Sequence, residues 1–143
     1  MTENDVAYLA GLIDGEGSIY YRKTKQTRNT RKGKPIHNVT VIRLEIAMTD
    51  KDTIKWCHDT FNCGHWGERK VKPGYKRQWR WRVAHRDALY VCKLIWPYSQ
   101  VKLHKIEQII DHYEPRAQEL GDNVVDLESE RESRKFNWNL HGS

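Results

Sequence analysis

The chain has 143 residues, enough for one domain to bury a core without disulfides or a structural metal, and carries 25 Lys plus Arg against 19 Asp plus Glu for a net charge of +6. Three cysteines at irregular spacing exclude a disulfide framework, and no apolar run of about 18 residues reads as a membrane span. With no secretory leader in view, the expected setting is a reducing one, the cytoplasm or an organellar matrix.

Thr2 and Asp5 stand at capping-box spacing ahead of Val6-Ala7-Tyr8-Leu9-Ala10-Gly11-Leu12-Ile13, which predicts a first helix over residues 4–13. Ala7 and Gly11 are four apart with Ala10 beside them, a small-residue face on which another helix, or the chain's own sheet, can pack closely. Asp14-Gly15-Glu16-Gly17 then puts two carboxylates at a helix C-terminus, where the macrodipole disfavours negative charge. A cation is expected to compensate. Mg²⁺ fits, because it accepts a few carboxylate and backbone oxygens and is completed by water and phosphate. Two copies packed through Ala7 and Gly11 would set two such ends side by side, at two scissile phosphates.

Ser18 to Arg28 reads as a strand, Asn29 to Pro35 as a loop and His37 to Met48 as a second strand, together a long basic hairpin. With Ile19 and Tyr21 inward, Tyr20, Arg22, Thr24 and Gln26 face outward. Val39 and Val41 are odd-numbered whereas Ile42, Leu44, Ile46 and Met48 are even-numbered, so a bulge or twist is expected near Val41-Ile42. Beyond it, Arg43, Glu45 and Ala47 lie opposite the core.

Asp50 or Asp52 caps a helix through Phe61, ended by Asn62-Cys63-Gly64. Strands over Trp66–Val71 and Tyr75–Val83 follow, joined at Pro73-Gly74. In the second, Trp79, Trp81 and Val83 form a core face and Gln78, Arg80 and Arg82 a cationic one; whether Arg69 or Lys70 faces outward is left open. A helix from Asp87 to Trp96 is stopped by Pro97, and another runs from Ser99 to Leu120, closed by Gly121. The expected domain is residues 1–121, with a polar tail over 122–143. Charge is segregated along this order: Ser18–Leu44 holds eight basic residues and no acid, and Glu68–Arg86 holds eight against Glu68 alone. Such a pattern is the footprint of a nucleic-acid binder. Cys57, His58, Cys63 and His65 lack the paired spacing of a zinc site. Among the six tryptophans, which could stack on bases, Trp79 and Trp81 have core parity.

Leu9-Ala10-Gly11-Leu12-Ile13-Asp14-Gly15-Glu16-Gly17 resembles the signature of the LAGLIDADG homing endonucleases, matching seven of its nine positions. The resemblance implies an α+β fold of order α-β-β-α-β-β-α over about residues 4–120, with a four-stranded antiparallel saddle in the DNA major groove. One motif copy implies a homodimer joined through Ala7, Ala10, Gly11 and Asp14, acting on a long, nearly palindromic double-stranded target. The implied reaction is a staggered double-strand break, dependent on a divalent metal (Mg²⁺, or Mn²⁺ in its place), that promotes mobility of the enzyme's own intron or gene.

By position, Glu16 matches the metal-binding catalytic acid, the Gly15 carbonyl its neighbouring ligand, and Lys102 a lysine near the scissile phosphate, although Lys102 also reads as an ordinary solvated helix lysine. Asp14 matches a structural acid at the helix end. The implied DNA contacts are Tyr20, Arg22, Thr24, Gln26, Arg28, Arg43, Glu45, Arg69, Lys70, Gln78, Arg80 and Arg82, with Arg31, Lys32 and Lys34 at the hairpin tip directed to phosphates. Met48 departs from the family, standing where a Gln often organises water; Thr49 or Glu45 could substitute. That departure keeps open a non-catalytic nucleic-acid binder, such as an RNA maturase for intron splicing or a transcription factor of the same fold. An unrelated αβ enzyme with a small-molecule pocket fits the charge segregation poorly.

Overall fold

A computed structural model of the chain describes residues 1–27 and 36–115. The hairpin loop with Arg28, Arg31, Lys32 and Lys34, the predicted helix end at Leu120-Gly121 and the tail over 122–143 lie outside the described residues.

Helix α1 spans Glu3–Glu16. It opens on the expected capping box: the Thr2 N–H donates to Asp5 Oδ2 at 2.9 Å and the Asp5 N–H to Thr2 Oγ1 at 3.2 Å. The helix continues three residues past its predicted end at Ile13, so Asp14 and Glu16 belong to its last turn instead of following it. A glycine inside a helix costs roughly 1 kcal/mol; here Gly15 is carried by hydrogen bonds from elsewhere in the chain, described below. Gly17 ends the helix, its N–H closing on the Ile13 carbonyl. A Cβ on Gly17 would sit 2.8 Å from that same oxygen, so glycine lets the chain leave the helix directly into a strand.

The four strands, β1 (Gly17–Thr27), β2 (Ile36–Met48), β3 (His65–Arg69) and β4 (Gln78–Ala84), form one antiparallel sheet in the order β1-β2-β4-β3. Pairing of β1 with β2 is unbroken from Gly17↔Ile46 to Thr27↔Ile36. The expected bulge is therefore absent. Val39 and Val41 keep the parity of Arg43 and Glu45, because they lie opposite Thr24 and Arg22 on the outward face. Their apolar character misled the phase reading: they are exposed-face valines, not core residues.

On the other face Ile42, Leu44, Ile46, Trp81 and Val83 are buried beneath α1, α2 (Lys51–Phe61), α3 (His85–Ile95) and α4 (Leu103–Tyr113). Trp81 is fully buried and donates its indole N–H to the Cys63 carbonyl at 2.9 Å, satisfying its one polar atom. Asp50 is the cap of α2, accepting from the Asp52 N–H and the Thr53 hydroxyl, and Asn62 ends it in the left-handed region at φ 53°. Both later helices differ from expectation at their starts. α3 begins two residues early, at His85, and passes into a 3-10 turn over Trp96–Tyr98 that absorbs Pro97. α4 begins only at Leu103, since residues 99–102 form a loop bonded to α1. β3 and β4 are shorter than predicted, and residues 70–77 form their connection, turned by a Tyr75 N–H to Lys72 carbonyl bond at 3.2 Å.

Cys57 and Cys92 are buried, and desolvation pushes their thiols up, that of Cys57 to about 12; burial likewise lifts Cys63 to about 11. Thiols so protonated at neutral pH are poor nucleophiles and metal ligands. Cys57 and Cys63 pack into the core while His65 is exposed on β3, so these residues do not converge.

Gly64 joins α2 to β3 at φ +78°, and a Cβ there would lie 2.4 Å from the Arg82 carbonyl. We expect Gly64→Ala to destabilise the protein by roughly 3 kcal/mol, combining left-handed strain with displacement of β4. Chemical denaturation measures this, and an unchanged midpoint would show that the close approach is not required.

Candidate nucleic-acid interface and metal site

Among the described residues no helix covers the sheet face opposite the core, and register fixes which residues share it. Ser18, Glu45, Arg82 and His65 form one row across all four strands; Tyr20 and Arg43 flank it on one side, Ala47, Arg80 and Gly67 on the other, and Gln78 with Arg69 lies beyond. Arg22 is exposed, and Thr24 donates its hydroxyl to the Val39 carbonyl at 3.3 Å. The outward set read from alternation is thus brought together. Gln26 pairs with His37 in the ladder.

The question left open at β3 is answered by pairing. Arg69 lies opposite Gln78 and donates to its Oε1 at 3.3 Å, whereas Lys70 follows the end of the strand. His65, Val39 and Val41 also belong to this face, unanticipated; only the alternation His65-Gly67-Arg69 signalled the first.

The charges on this face are organised. The Glu45 side chain is only 14% exposed and lies among Arg43, Arg80 and Arg82. The Arg43 guanidinium sits 4.4 Å above the Tyr20 ring. A twisted cationic ribbon of this kind fits the major groove of B-DNA, where base edges are distinguishable.

At the end of α1 the compensating cation is a lysine. Asp14 Oδ2 accepts the Gln100 N–H at 2.9 Å and Oδ1 the Lys102 N–H at 3.1 Å, while Lys102 Nζ donates to the Asp14 carbonyl at 2.7 Å. Lys102 therefore is not a solvated helix lysine: it precedes α4 and caps the C-terminus of α1. Its ammonium has three donors, so two remain beyond this bond.

Glu16 differs. It is exposed in the last turn of α1, and among the described residues no side chain or backbone group engages its carboxylate. Beside it is exposed Gly15. A hard divalent cation fits this set: one free carboxylate, a helix-end carbonyl and open access for water and phosphate. Among the described residues no three His, Cys, Asp or Glu side chains form a closed cage, so other oxygen donors would complete the coordination.

Along α1, Gly11 and Gly15 are exposed, and a Cβ at either would meet nothing within 4 Å. Ala7 is half-buried on the same stripe, and Tyr8 beside it is 55% exposed and edge-on to Trp56. Ala10 departs from the expected interface: it is fully buried in the core of the chain itself and has no surface to offer a partner. Met48 packs partly buried against the core, and Thr49 next to it is exposed. Among the described residues no helix is long and apolar enough to cross a membrane.

No family model and no curated protein matches the sequence. Solved structures match in fold. The homing endonuclease I-CvuI, in complex with its target in the presence of Ca, is 16% identical at a TM-score of 0.61, over 92% of this chain and 82% of that one. The archaeal intron-encoded homing endonuclease I-Vdi141I, complexed with DNA, is 15% identical at 0.57, over 96% of this chain and 98% of that one. The I-SmaMI LAGLIDADG homing endonuclease, bound to cleaved DNA, is 15% identical at 0.52, over 92% of this chain but 42% of that one. The chain has the LAGLIDADG homing endonuclease fold, an α+β arrangement of one four-stranded antiparallel sheet backed by helices.

Removing the Asp14 carboxylate would leave two backbone N–H groups without their acceptor. Asp14→Ala is expected to lower stability by about 2 kcal/mol and to raise amide hydrogen exchange at Gln100 and Lys102 selectively. Unchanged exchange at those two amides would show that the loop is held by other contacts.

Proposed function

We propose that this chain is a LAGLIDADG homing endonuclease, a homodimer that cuts both strands of a long, nearly palindromic DNA site with a stagger and with a divalent metal, so promoting the mobility of its own intron or gene. The observation that carries this reading is the Glu16 carboxylate, without a partner among the described residues, in the last turn of the motif helix, one residue before the cationic sheet face begins. A module that only binds nucleic acid has no use for a free acid aimed at phosphates.

In this reading Arg22, Arg43, Arg69, Arg80 and Arg82 hold the duplex in the groove, and Glu16 with the Gly15 carbonyl holds Mg²⁺, with Mn²⁺ able to replace it. The bound metal would neutralise charge on the scissile phosphate and make its water a better nucleophile. Lys102, fixed by the Asp14 carbonyl, directs its two remaining donors to a phosphate oxygen or to water. Two copies are brought together by close approach of their α1 helices along Ala7, Gly11 and Gly15, with Asp14 at the rim. That I-SmaMI is more than twice as long as the matched region supports a two-copy architecture.

A second reading has one observation in its favour. Met48 turns its side chain to the core, leaving Ala47 on the sheet face and placing no polar group where a Gln often organises water. A non-catalytic binder, an RNA maturase above all, would tolerate that.

Cleavage of a randomised double-stranded DNA library in Mg²⁺, in EDTA and with Glu16→Gln separates the two. Cuts confined to one near-symmetric site, abolished by EDTA and reduced at least about 100-fold by the substitution while binding persists, are expected. Bound but uncut DNA in Mg²⁺ would favour the binder, and full cleavage by Glu16→Gln would remove that residue from the mechanism.

Because Gly11 is exposed and a Cβ there meets nothing within 4 Å among the described residues, Gly11→Leu tests the pairing with little demand on the fold. Sedimentation should find monomers that keep the native circular-dichroism spectrum and no longer cut; a persistent dimer would refute the proposed contact.

A further inference from the structure

Glu45 is surrounded in a way that a base-contacting acid would not be. Its Oε2 accepts from Nε and Nη2 of Arg82 at 3.3 and 3.2 Å, and the same oxygen lies 3.9 Å from Arg43 Nε. Its Oε1 lies 3.7 Å from Arg80 Nη1. Both oxygens are thus turned onto guanidinium groups from two strands, and little of the side chain reaches solvent. We infer that Glu45 reads no base itself but is a positioning residue that holds Arg82 and Arg80, giving the protein a preference for guanine where those arginines meet DNA. This rests on the proposed DNA-binding role of the sheet face.

The geometry favours this division of labour. By taking the Nε–Nη2 edge of Arg82, the carboxylate leaves the Nη1–Nη2 end of the fork, whose two donors match O6 and N7 of guanine in the major groove. A free arginine loses much rotamer freedom on making that contact; one already held by an acid loses less. Direct reading by Glu45 would need an oxygen to accept from the amino group of cytosine; Oε2 is committed to Arg82, and Oε1 faces the Arg80 guanidinium on a side chain only 14% exposed. Three arginines around one acid also leave the cluster cationic towards phosphate. Arg43, stacked on Tyr20, closes the other side of the cluster.

The test is selection of binding sites from randomised double-stranded DNA in EDTA by the unsubstituted protein and by the Arg82→Lys, Glu45→Gln and Glu45→Asp variants. Arg82→Lys marks the positions that Arg82 reads by loss of guanine there. Glu45→Gln is expected to lower guanine preference at the same positions about tenfold, while affinity for random DNA stays equal or rises because one negative charge is gone. Glu45→Asp, which keeps the charge on a shorter arm, should retain part of the preference. Guanine preference untouched by Glu45→Gln, equal loss in both Glu45 variants, or a change at a separate position where the unsubstituted protein selects cytosine would each overturn the inference and leave the DNA-binding reading standing. No sequence preference in the unsubstituted protein would overturn both.

Discussion

The site depends on a reciprocal clasp between segments 86 to 88 residues apart in the chain. The Asp14 carboxylate takes two backbone N–H groups from the loop before α4, and the lysine of that loop returns a hydrogen bond to the Asp14 carbonyl. Each half answers a cost created by the other. An acid in the last turn of a helix opposes the macrodipole, and an uncapped helix end leaves carbonyls without donors. Neither half is stable in place without its counterpart, and together they extend α1 through Gly15 to Glu16. The position of the Glu16 carboxylate follows from them.

From Glu16 the chain passes through Gly17 directly into β1, so the candidate metal site and the first row of the sheet face share a rigid junction. Gly17 enforces it, since any side chain there would collide with the Ile13 carbonyl. The same strands then serve two purposes by strict alternation. Even-numbered residues of β2 and odd-numbered residues of β4 supply Ile42, Leu44, Ile46, Trp81 and Val83 to the core, and the interleaved residues supply the arginines. Packing below fixes the spacing of charges above, and no loop intervenes between them.

What was legible in the sequence followed from local rules. The capping box at Thr2 and Asp5, the cap at Asp50, the left-handed stop at Asn62 and the parity of Trp79-Arg80-Trp81-Arg82 are each decided within a few residues. What was not legible is decided by distant partners. The end of α1 was read three residues short because the groups that satisfy it come from residues 100–102. Lys102 was placed on a helix because its spacing is helical, although its own backbone N–H is spent on Asp14. Ala10 looked like interface beside Gly11, and only the full packing shows it buried. Val39 and Val41 suggest a change of phase that the unbroken ladder lacks, because apolar residues on an open face are indistinguishable by type from core ones.

The two sides of the sheet are unequal in support. β4 accompanies β2 only from Arg43 to Met48, whereas β1 accompanies it from Ile46 to Ile36. Beyond Arg43 the hairpin is a two-stranded arm, at about 3.4 Å per residue some 24 Å of ribbon, on which Arg22 and Lys23 are exposed on opposite faces. Among the described side chains of this arm outward of Ile42, residues 22–24 and 38–41, none is buried, in contrast to Ile42, Leu44 and Trp81 beneath the central rows. Mutations can therefore accumulate on the arm at little thermodynamic penalty, while changes near Glu45 are tied to the core beneath. The sheet thus joins a central part whose outer surface is tied to packing beneath it to an arm whose outer surface is free to vary.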